Sequence, residues 1–119
     1  MKNIYTLEEL KSILKSKKDE LAEMFFVSNI LIFGSYANET QTEQSDIDLL
    51  IETTKPISLF KFVNLKEYFE NIFGKKIDLG TPDSLKSVVK DRILKEAIQV
   101  WKTDLLNYFS MISLIAQCA

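Results

Sequence analysis

The stretch Ser45-Asp46-Ile47-Asp48-Leu49-Leu50-Ile51-Glu52 places two acids at the start of an otherwise apolar segment. Side chains alternate between the two faces of a strand, so residues two apart share a face with Cα atoms about 6.5 Å apart. We therefore expect Asp46 and Asp48 to project together from a central strand whose Ile47 and Leu49 face the core. Two such carboxylates repel each other unless a cation lies between them. The stretch predicts a metal site at one end of a buried strand.

A second apolar run, Ile30-Leu31-Ile32-Phe33, lies upstream and is too short for a helix. It predicts a strand that is buried on both faces. Gly34-Ser35 ends this run, where a glycine lets the backbone approach a phosphate and the Ser35 hydroxyl and following amides can donate to it. Taken singly, a Gly-Ser pair is far more often an ordinary turn. Beside the acids, it predicts a phosphate-binding turn.

A third acid, Asp78, interrupts the predicted strand Lys76-Ile77-Asp78-Leu79. If this strand pairs beside the Asp46 strand, three carboxylates meet, and a hard oxygen-ligated ion such as Mg²⁺ is their natural occupant. Asp78 alone could be an edge residue, and an Asp-x-Asp pair alone is most often a solvated strand end. The combination with a glycine turn is more specific than any of its parts.

These groups together predict nucleotidyl transfer. An acceptor hydroxyl would attack an α-phosphate in line while one or two Mg²⁺ ions, held by Asp46 and Asp48, neutralise the developing charge. Asp78 would help to deprotonate the acceptor. The substrate class that follows is a nucleoside triphosphate.

Helical patterns surround the strands. Thr6-Leu7-Glu8-Glu9 is a capping box that begins a helix whose apolar spacing continues to Phe25. A second helix covers residues 58–73 and ends at Gly74. Thr81-Pro82 begins a third, whose apolar positions extend through Ala97 and Ile98. The predicted order is helix, strand, strand, helix, strand, helix, which indicates an α/β (α+β) fold.

The length of 119 residues allows one ordinary domain, which we place at residues 1–103. Residues 104–119 form an apolar tail, predicted to be helical, and its last fifteen residues carry no charged side chain. A membrane span needs roughly 20 apolar residues, so this tail is too short. It either docks on its own domain or contacts a partner, which includes a homo-oligomer formed through the tail.

Composition excludes several classes of function. The net charge of −2 provides no excess of basic residues for a nucleic-acid partner. The absence of histidine removes His-containing triads and His-ligated zinc, and a single cysteine, Cys118, cannot form an internal disulfide. The N-terminus lacks the apolar segment of a signal peptide. We expect a cytoplasmic protein with no membrane partner.

Gly34-Ser35, ten intervening residues and Asp46-Ile47-Asp48 together resemble the signature of the DNA polymerase β nucleotidyltransferase superfamily. With Ile77-Asp78-Leu79, the pattern is most similar to the minimal nucleotidyltransferases, or MNT proteins, over roughly residues 4–101. This resemblance implies the nucleotidyltransferase fold, a small mixed sheet flanked by helices. It also implies that Asp46, Asp48 and Asp78 are the catalytic metal ligands, with Gly34 and Ser35 in the nucleotide site.

The same resemblance implies a function and a partner. Many MNT proteins are antitoxins that bind a HEPN-type ribonuclease toxin, and some transfer AMP from ATP to a toxin tyrosine. Family members commonly carry Arg-Gly where this chain has Asn38-Glu39. This difference removes a basic contact to the triphosphate, which Lys75 or Lys76 could replace, although a lysine pair before a strand is more often solvated surface.

Two other functions stay open beside a Mg²⁺-dependent protein adenylyltransferase. One is an antitoxin that acts by binding alone, which the Asn38-Glu39 difference favours. The other is a nucleotidyltransferase acting on a small molecule such as an aminoglycoside, although such enzymes usually need an additional substrate-binding domain. Chain length and charge both argue against a templated polymerase.

Overall fold

The computed structural model describes residues 4–84 and 87–102. Helices and strands alternate in an α/β order along this part of the chain. They are α1 (Leu7–Ser16), α2 (Lys18–Phe25), β1 (Val27–Phe33), α3 (Ser35–Asn38), β2 (Ile47–Thr53), α4 (Leu59–Phe73), β3 (Ile77–Gly80), a 3₁₀ turn (Pro82–Ser84), α5 (Ser87–Glu96) and β4 (Ile98–Lys102).

The strands form one mixed sheet in the order β3-β2-β1-β4. β1 is antiparallel to both β2 and β4, whereas β2 and β3 are parallel. A parallel pair needs a long crossover connection, and α4 supplies it between β2 and β3. The predicted mixed sheet flanked by helices is therefore confirmed. The parallel pair matters most for function, because it brings the starts of β2 and β3 to one end of the sheet.

The first helical segment begins as predicted. The amide of Glu9 donates to the Thr6 hydroxyl and the amide of Thr6 donates to the Glu9 carboxylate, each at 3.1 Å. The segment is not one continuous helix, however, because it divides at Lys17 into α1 and α2. The Ser16 hydroxyl donates to the carbonyl of Ile13 at 2.6 Å, a local bond that competes with helical hydrogen bonding at this point.

The core lies on one face of the sheet. Ile30 and Ile32 of β1 are fully buried there, while Leu31 and Phe33 on the opposite face are only half-buried. The expectation that this strand is buried on both faces is therefore wrong, because α1, α2 and α4 all pack against the Ile30 face. The core cluster includes Leu10, Leu14, Leu21, Phe25, Ile30, Ile32, Ile47, Leu49, Ile51, Leu65, Phe69, Phe73 and Ile77.

The helical spacing that extends the last helix to Ile98 is wrong. α5 ends at Glu96, and Ile98–Lys102 form β4, which pairs with β1. Without β4, β1 would be an edge strand with unpaired backbone groups. Val100 and Trp101 are buried in the resulting sheet. The alternation of Ile98, Gln99 and Val100 was the available signal for this strand.

Thr81-Pro82 opens the 3₁₀ turn and not a helix. The Ser84 hydroxyl donates to the carbonyl of Thr81 at 2.7 Å and the Ser84 amide donates to the same oxygen at 3.1 Å, which closes the turn. The helical part of this segment, α5, begins at Ser87.

The apolar tail, residues 104–119, lies outside the described residues, so its predicted helix and the boundary at residue 103 stay predictions. Within residues 4–84 and 87–102, none of the helices has the length and apolar character needed to cross a bilayer.

Candidate active site

The turn after β1 and the second acid of β2 are in direct contact. Gly34 has φ +71° and ψ −149°, a conformation that L residues rarely adopt. A Cβ atom on this residue would overlap Oδ2 of Asp48 and lie 3.1 Å from its Cγ. Asp48 faces Phe33 across the antiparallel pair of β1 and β2, so the turn follows directly at the strand end. Only glycine leaves space for the carboxylate here.

Asp48 and Asp78 are register partners on the parallel strands β2 and β3. The amide of Ile47 donates to the carbonyl of Lys76 at 3.0 Å and holds the two strand starts together. Asp46 precedes β2 by one residue. Asp46 and Asp48 are half-buried, whereas Asp78 is exposed. The sheet therefore brings all three predicted carboxylates to one end. Asp48 lies between the Gly34 turn and Asp78 of β3.

The end of the sheet that holds the three carboxylates disfavours ionisation of Asp48 beside Asp46 and Asp78. Burial raises the pKa of Asp48 to about 6, and the charge of Asp78, a hydrogen bond with Asp78 and the charge of Asp46 add to the rise. A proton shared between Asp48 and Asp78 relieves the repulsion at low pH. At neutral pH a cation would relieve it instead.

One cation already contacts the site. Nζ of Lys76 lies 3.9 Å from Oδ2 of Asp46. No group of three potential metal ligands within the described parts of the chain is already arranged around a common ion, and Asp46 is paired with Lys76. The donor set itself fits Mg²⁺, since it consists of carboxylate oxygens from neighbouring strands. Asp46 would have to leave its ion pair with Lys76 to become a ligand of such an ion.

The helical turn α3 follows Gly34 immediately. Tyr36 is fully buried and anchors this turn in the core, while the Ser35 hydroxyl makes no hydrogen bond to the described residues. Glu39 ends α3 with φ +59° and is exposed. Its carboxylate is therefore solvated and does not fill the space beside Asp48.

Comparison with known proteins identifies the family of this chain. The model of the nucleotidyltransferase domain family matches residues 7–100, which include every residue of the site. The chain belongs to this nucleotidyltransferase family. The predicted family resemblance and the predicted enzyme class are thereby confirmed.

A curated protein adenylyltransferase is similar to this chain over nearly its whole length. The protein adenylyltransferase MntA of Thermococcus cleftensis is 43% identical over 95 residues, which cover 80% of this chain and 96% of that protein. Among solved structures, a toxin-antitoxin complex with AMP-PNP superposes with a TM-score of 0.66 at 19% identity, covering 90% of this chain and 85% of its own. At this low sequence identity, the structural similarity shows a shared fold and nothing more.

A second solved structure is a tri-AMPylated HEPN toxin of Shewanella oneidensis in complex with an MNT antitoxin. The similarity has a TM-score of 0.57 at 19% identity and covers 91% of this chain and 88% of the matched chain. The fold of this nucleotidyltransferase is therefore the fold found in toxin-antitoxin complexes of the MNT type.

The nucleotidyltransferase sequence predicted which residues gather, and the structure adds two contacts that it did not predict. Gly34, Asp46, Asp48 and Asp78 all meet at one end of the sheet, and Ser35 is the first residue of α3 beside them. The Gly34 contact with Asp48 and the pairing of Lys76 with Asp46 were both unforeseen in this form. Lys76 lies two residues before Asp78, so strand alternation puts both side chains on the same side of the chain as the acids. This spacing was the available signal for the contact between Lys76 and Asp46.

A groove of about 540 Å³ lies at the other end of β2 and β3. Its lining includes Thr53 at the end of β2, Gly80 at the end of β3 and Leu59 at the start of α4. Thr53 follows Asp48 by five residues, or roughly 16 Å along a strand. The groove therefore opens away from the candidate carboxylates on the β2 side, whereas on the β3 side its lining includes Leu79, the residue after Asp78.

Proposed function

We propose that this chain is a Mg²⁺-dependent protein adenylyltransferase that transfers AMP from ATP to a hydroxyl of a HEPN-type toxin, and so acts as the antitoxin of the pair. The adenylyltransferase activity in the name of the 43% identical relative supports the reaction. A solved complex of the same fold contains an AMPylated HEPN toxin bound to an MNT antitoxin, which supports a HEPN toxin as both the partner and the acceptor of AMP.

The observation that carries the proposal is the register of Asp48 with Asp78 directly beneath the Gly34 turn. Asp46 and Asp48 would hold Mg²⁺, with Asp78 as the third ligand at the exposed side. A Mg²⁺ ion held by these residues would supply positive charge that offsets the negative charge of the triphosphate. The raised pKa of Asp48 supports this assignment, because a cation removes the repulsion that causes part of the rise.

The chain's own residues would then direct the transfer. The turn at Gly34 lets the backbone come close to phosphate oxygens, and the Ser35 hydroxyl can donate to them. The acceptor oxygen forms a bond to the α-phosphorus, the bond from that phosphorus to pyrophosphate breaks, and the acceptor proton passes to the Asp78 carboxylate. Asp78 is suited to this role because it is exposed, so a hydroxyl on another protein can reach it.

A second candidate is an antitoxin that inhibits by binding alone. The specific observation in its favour is the exposed apolar surface at the start of α4, where Leu59 and Phe60 are 76% and 84% exposed. Exposed apolar side chains of this size often mark a protein contact. The two candidates differ in one testable respect, which is whether the toxin acquires covalent AMP.

The test is transfer of label from α-³²P-ATP to the toxin encoded beside this chain, using purified proteins and Mg²⁺. We expect a labelled toxin band with wild type and at least a hundredfold less label with Asp48→Ala or with Asp78→Asn. Asp19→Ala is the matched control, because Asp19 is an exposed carboxylate on α2. This control should label the toxin as wild type does.

An unlabelled toxin that still copurifies with wild-type chain would contradict the transferase proposal and support binding alone. Label on a small molecule in place of the toxin, separated by thin-layer chromatography, would support the small-molecule alternative.

A further inference from the structure

Lys76 lies immediately before β3, and its side chain is directed at the Asp46 carboxylate. Its carbonyl accepts from the amide of Ile47 at 3.0 Å, which fixes its backbone beside Asp46. Its Nζ lies 3.9 Å from Oδ2 of Asp46. Lys76 comes one residue before β3 and two residues before Asp78, and residues two apart along an extended chain share a face. The ammonium group is therefore part of the same end of the sheet as the three acids.

The charges around this ammonium are negative. Asp46, Asp48 and Asp78 all lie at this end, and a nucleoside triphosphate would add several more negative charges. Mg²⁺ bound to the acids would offset only part of that total. A protein cation beside the acids would therefore favour nucleotide binding.

The other basic residues considered for this role are engaged elsewhere. Nζ of Lys75 donates to the carbonyl of Glu43 at 2.8 Å. Arg92 is the single arginine of the sequence, and it pairs with Glu96 within α5, a helix that contributes none of the three acids. Asn38 and Glu39 follow the Gly34 turn and supply no positive charge. Of the lysine pair before β3, the structure thus singles out Lys76.

The contact between Lys76 and Asp46 is suited to exchange. The two side chains are 71% and 43% exposed, and ion pairs with this exposure are weakly held. When a metal ion binds the Asp46 carboxylate, the lysine can leave it at little cost. Its flexible four-carbon chain then allows the ammonium to reach phosphate oxygens within the same space.

We propose that Lys76 is a nucleotide-binding residue of this site: it pairs with Asp46 in the nucleotide-free protein and transfers to the triphosphate when metal and nucleotide bind. This inference rests on the proposed function, because it assumes that the three carboxylates serve a metal-nucleotide complex. It assigns to Lys76 the positive charge that Asn38-Glu39 does not provide.

Two binding measurements on the full chain test this role without relying on turnover. The first is calorimetric titration with AMP-PNP and Mg²⁺, and the second is Mn²⁺ binding without nucleotide, followed by electron paramagnetic resonance. We expect Lys76→Met to weaken AMP-PNP binding about tenfold, the loss typical of one charge-assisted contact. Mn²⁺ binding should stay unchanged or become tighter, because Asp46 has lost its competing partner.

Lys76→Arg should restore AMP-PNP affinity to within about threefold of wild type, since it keeps the positive charge. Lys75→Met is the matched control: it removes the same charge one residue away and should bind AMP-PNP as wild type does. Urea unfolding of each variant establishes that the fold is intact.

The outcomes separate the two hypotheses. If wild type binds neither AMP-PNP nor Mn²⁺, the proposed function is overturned and the role of Lys76 with it. If wild type binds both and Lys76→Met binds AMP-PNP equally well, only the role of Lys76 is overturned. Parallel loss of Mn²⁺ and AMP-PNP binding in Lys76→Met would also overturn it, since it would show that Lys76 supports the acids and not the nucleotide.

Discussion

Gly34 and Asp48 meet so closely that a Cβ atom on the glycine would overlap Oδ2 of the aspartate. The two residues belong to different parts of the site, because Gly34 forms the turn after β1 and Asp48 lies near the start of β2. The contact therefore couples the position of the turn to the position of a carboxylate. A change at either residue should disturb both.

Gly34→Ala should destabilise the fold and weaken the site together. The alanine would have to adopt φ near +71° with ψ near −149° and would displace the Asp48 carboxylate. Strain and overlap of this kind cost about 2 to 4 kcal/mol in the free energy of unfolding. Urea unfolding and Mg²⁺-dependent AMP-PNP binding measure the two effects.

Gly74→Ala provides the control for the stability effect. Gly74 ends α4 with φ +63° and ψ +27°, which is the ordinary left-handed region. Alanine there should cost only about 1 kcal/mol and leave nucleotide binding unchanged. Equal losses of stability for the two variants would show that the Asp48 overlap contributes nothing.

Asp48→Asn should stabilise the metal-free protein at high pH. The pKa of Asp48 rises from 3.8 to about 6 on folding, so the folded state holds this proton more tightly than the unfolded chain does. Stability therefore falls as pH rises between these values, and above pH 6 the ionised carboxylate disfavours folding. Because Asp48 is half-buried and partly screened by solvent, we expect an effect of about 1 kcal/mol.

Urea unfolding of wild type and Asp48→Asn at pH 4 and pH 8, without divalent ions, measures this difference. The variant should be more stable than wild type by about 1 kcal/mol at pH 8, and the difference should vanish at pH 4. Asp19→Asn, at an exposed position of α2, should leave the pH dependence unaltered. A stabilisation that is the same at both pH values would rule out the titration of Asp48 as its cause.

Mg²⁺ should raise the midpoint of thermal unfolding more at pH 8 than at pH 5. A metal ligand must be deprotonated, and at pH 5 Asp48, with a pKa of about 6, is mostly protonated. Apparent Mg²⁺ affinity should therefore be about tenfold weaker at pH 5 than at pH 8. Differential scanning fluorimetry over a Mg²⁺ series measures this, and a pH-independent shift would indicate that the ion binds elsewhere.

Tyr36→Phe should leave stability within about 0.5 kcal/mol of wild type or increase it. The Tyr36 side chain is fully buried, and its hydroxyl makes no hydrogen bond of standard geometry among residues 4–84 and 87–102. Burial raises its pKa, although the backbone of Tyr5 lies close enough to lower that pKa in part. Removal of an unsatisfied buried hydroxyl relieves a desolvation cost. Urea unfolding provides the measurement.

Tyr5→Phe is the matched comparison, because the Tyr5 hydroxyl is also buried but donates to the carbonyl of Phe73 at 2.8 Å. Its loss leaves that carbonyl unsatisfied and should cost about 1 to 2 kcal/mol. If Tyr36→Phe is as destabilising as Tyr5→Phe, the Tyr36 hydroxyl must form a hydrogen bond in solution.

Local patterns were sufficient for most helices and strands and for the acids. The Thr6-Glu9 capping box and Gly74 at the end of α4 depend on interactions within a few residues, so their residue types alone indicate them. β4 was missed because Ile98 satisfies both a helical and a strand period, and only the unpaired side of β1 decides between them.

Strand alternation and residue type are local properties, so the amino-acid pattern was enough to predict that Asp46 and Asp48 share a face, that a glycine turn precedes them and that Asp78 follows in a later strand. The pattern could not predict that β2 and β3 are parallel neighbours with Asp48 opposite Asp78, that Gly34 leaves space for the Asp48 carboxylate, or that Lys76 pairs with Asp46. These relationships depend on strand order and register, which are set by how the buried side chains of distant segments pack together.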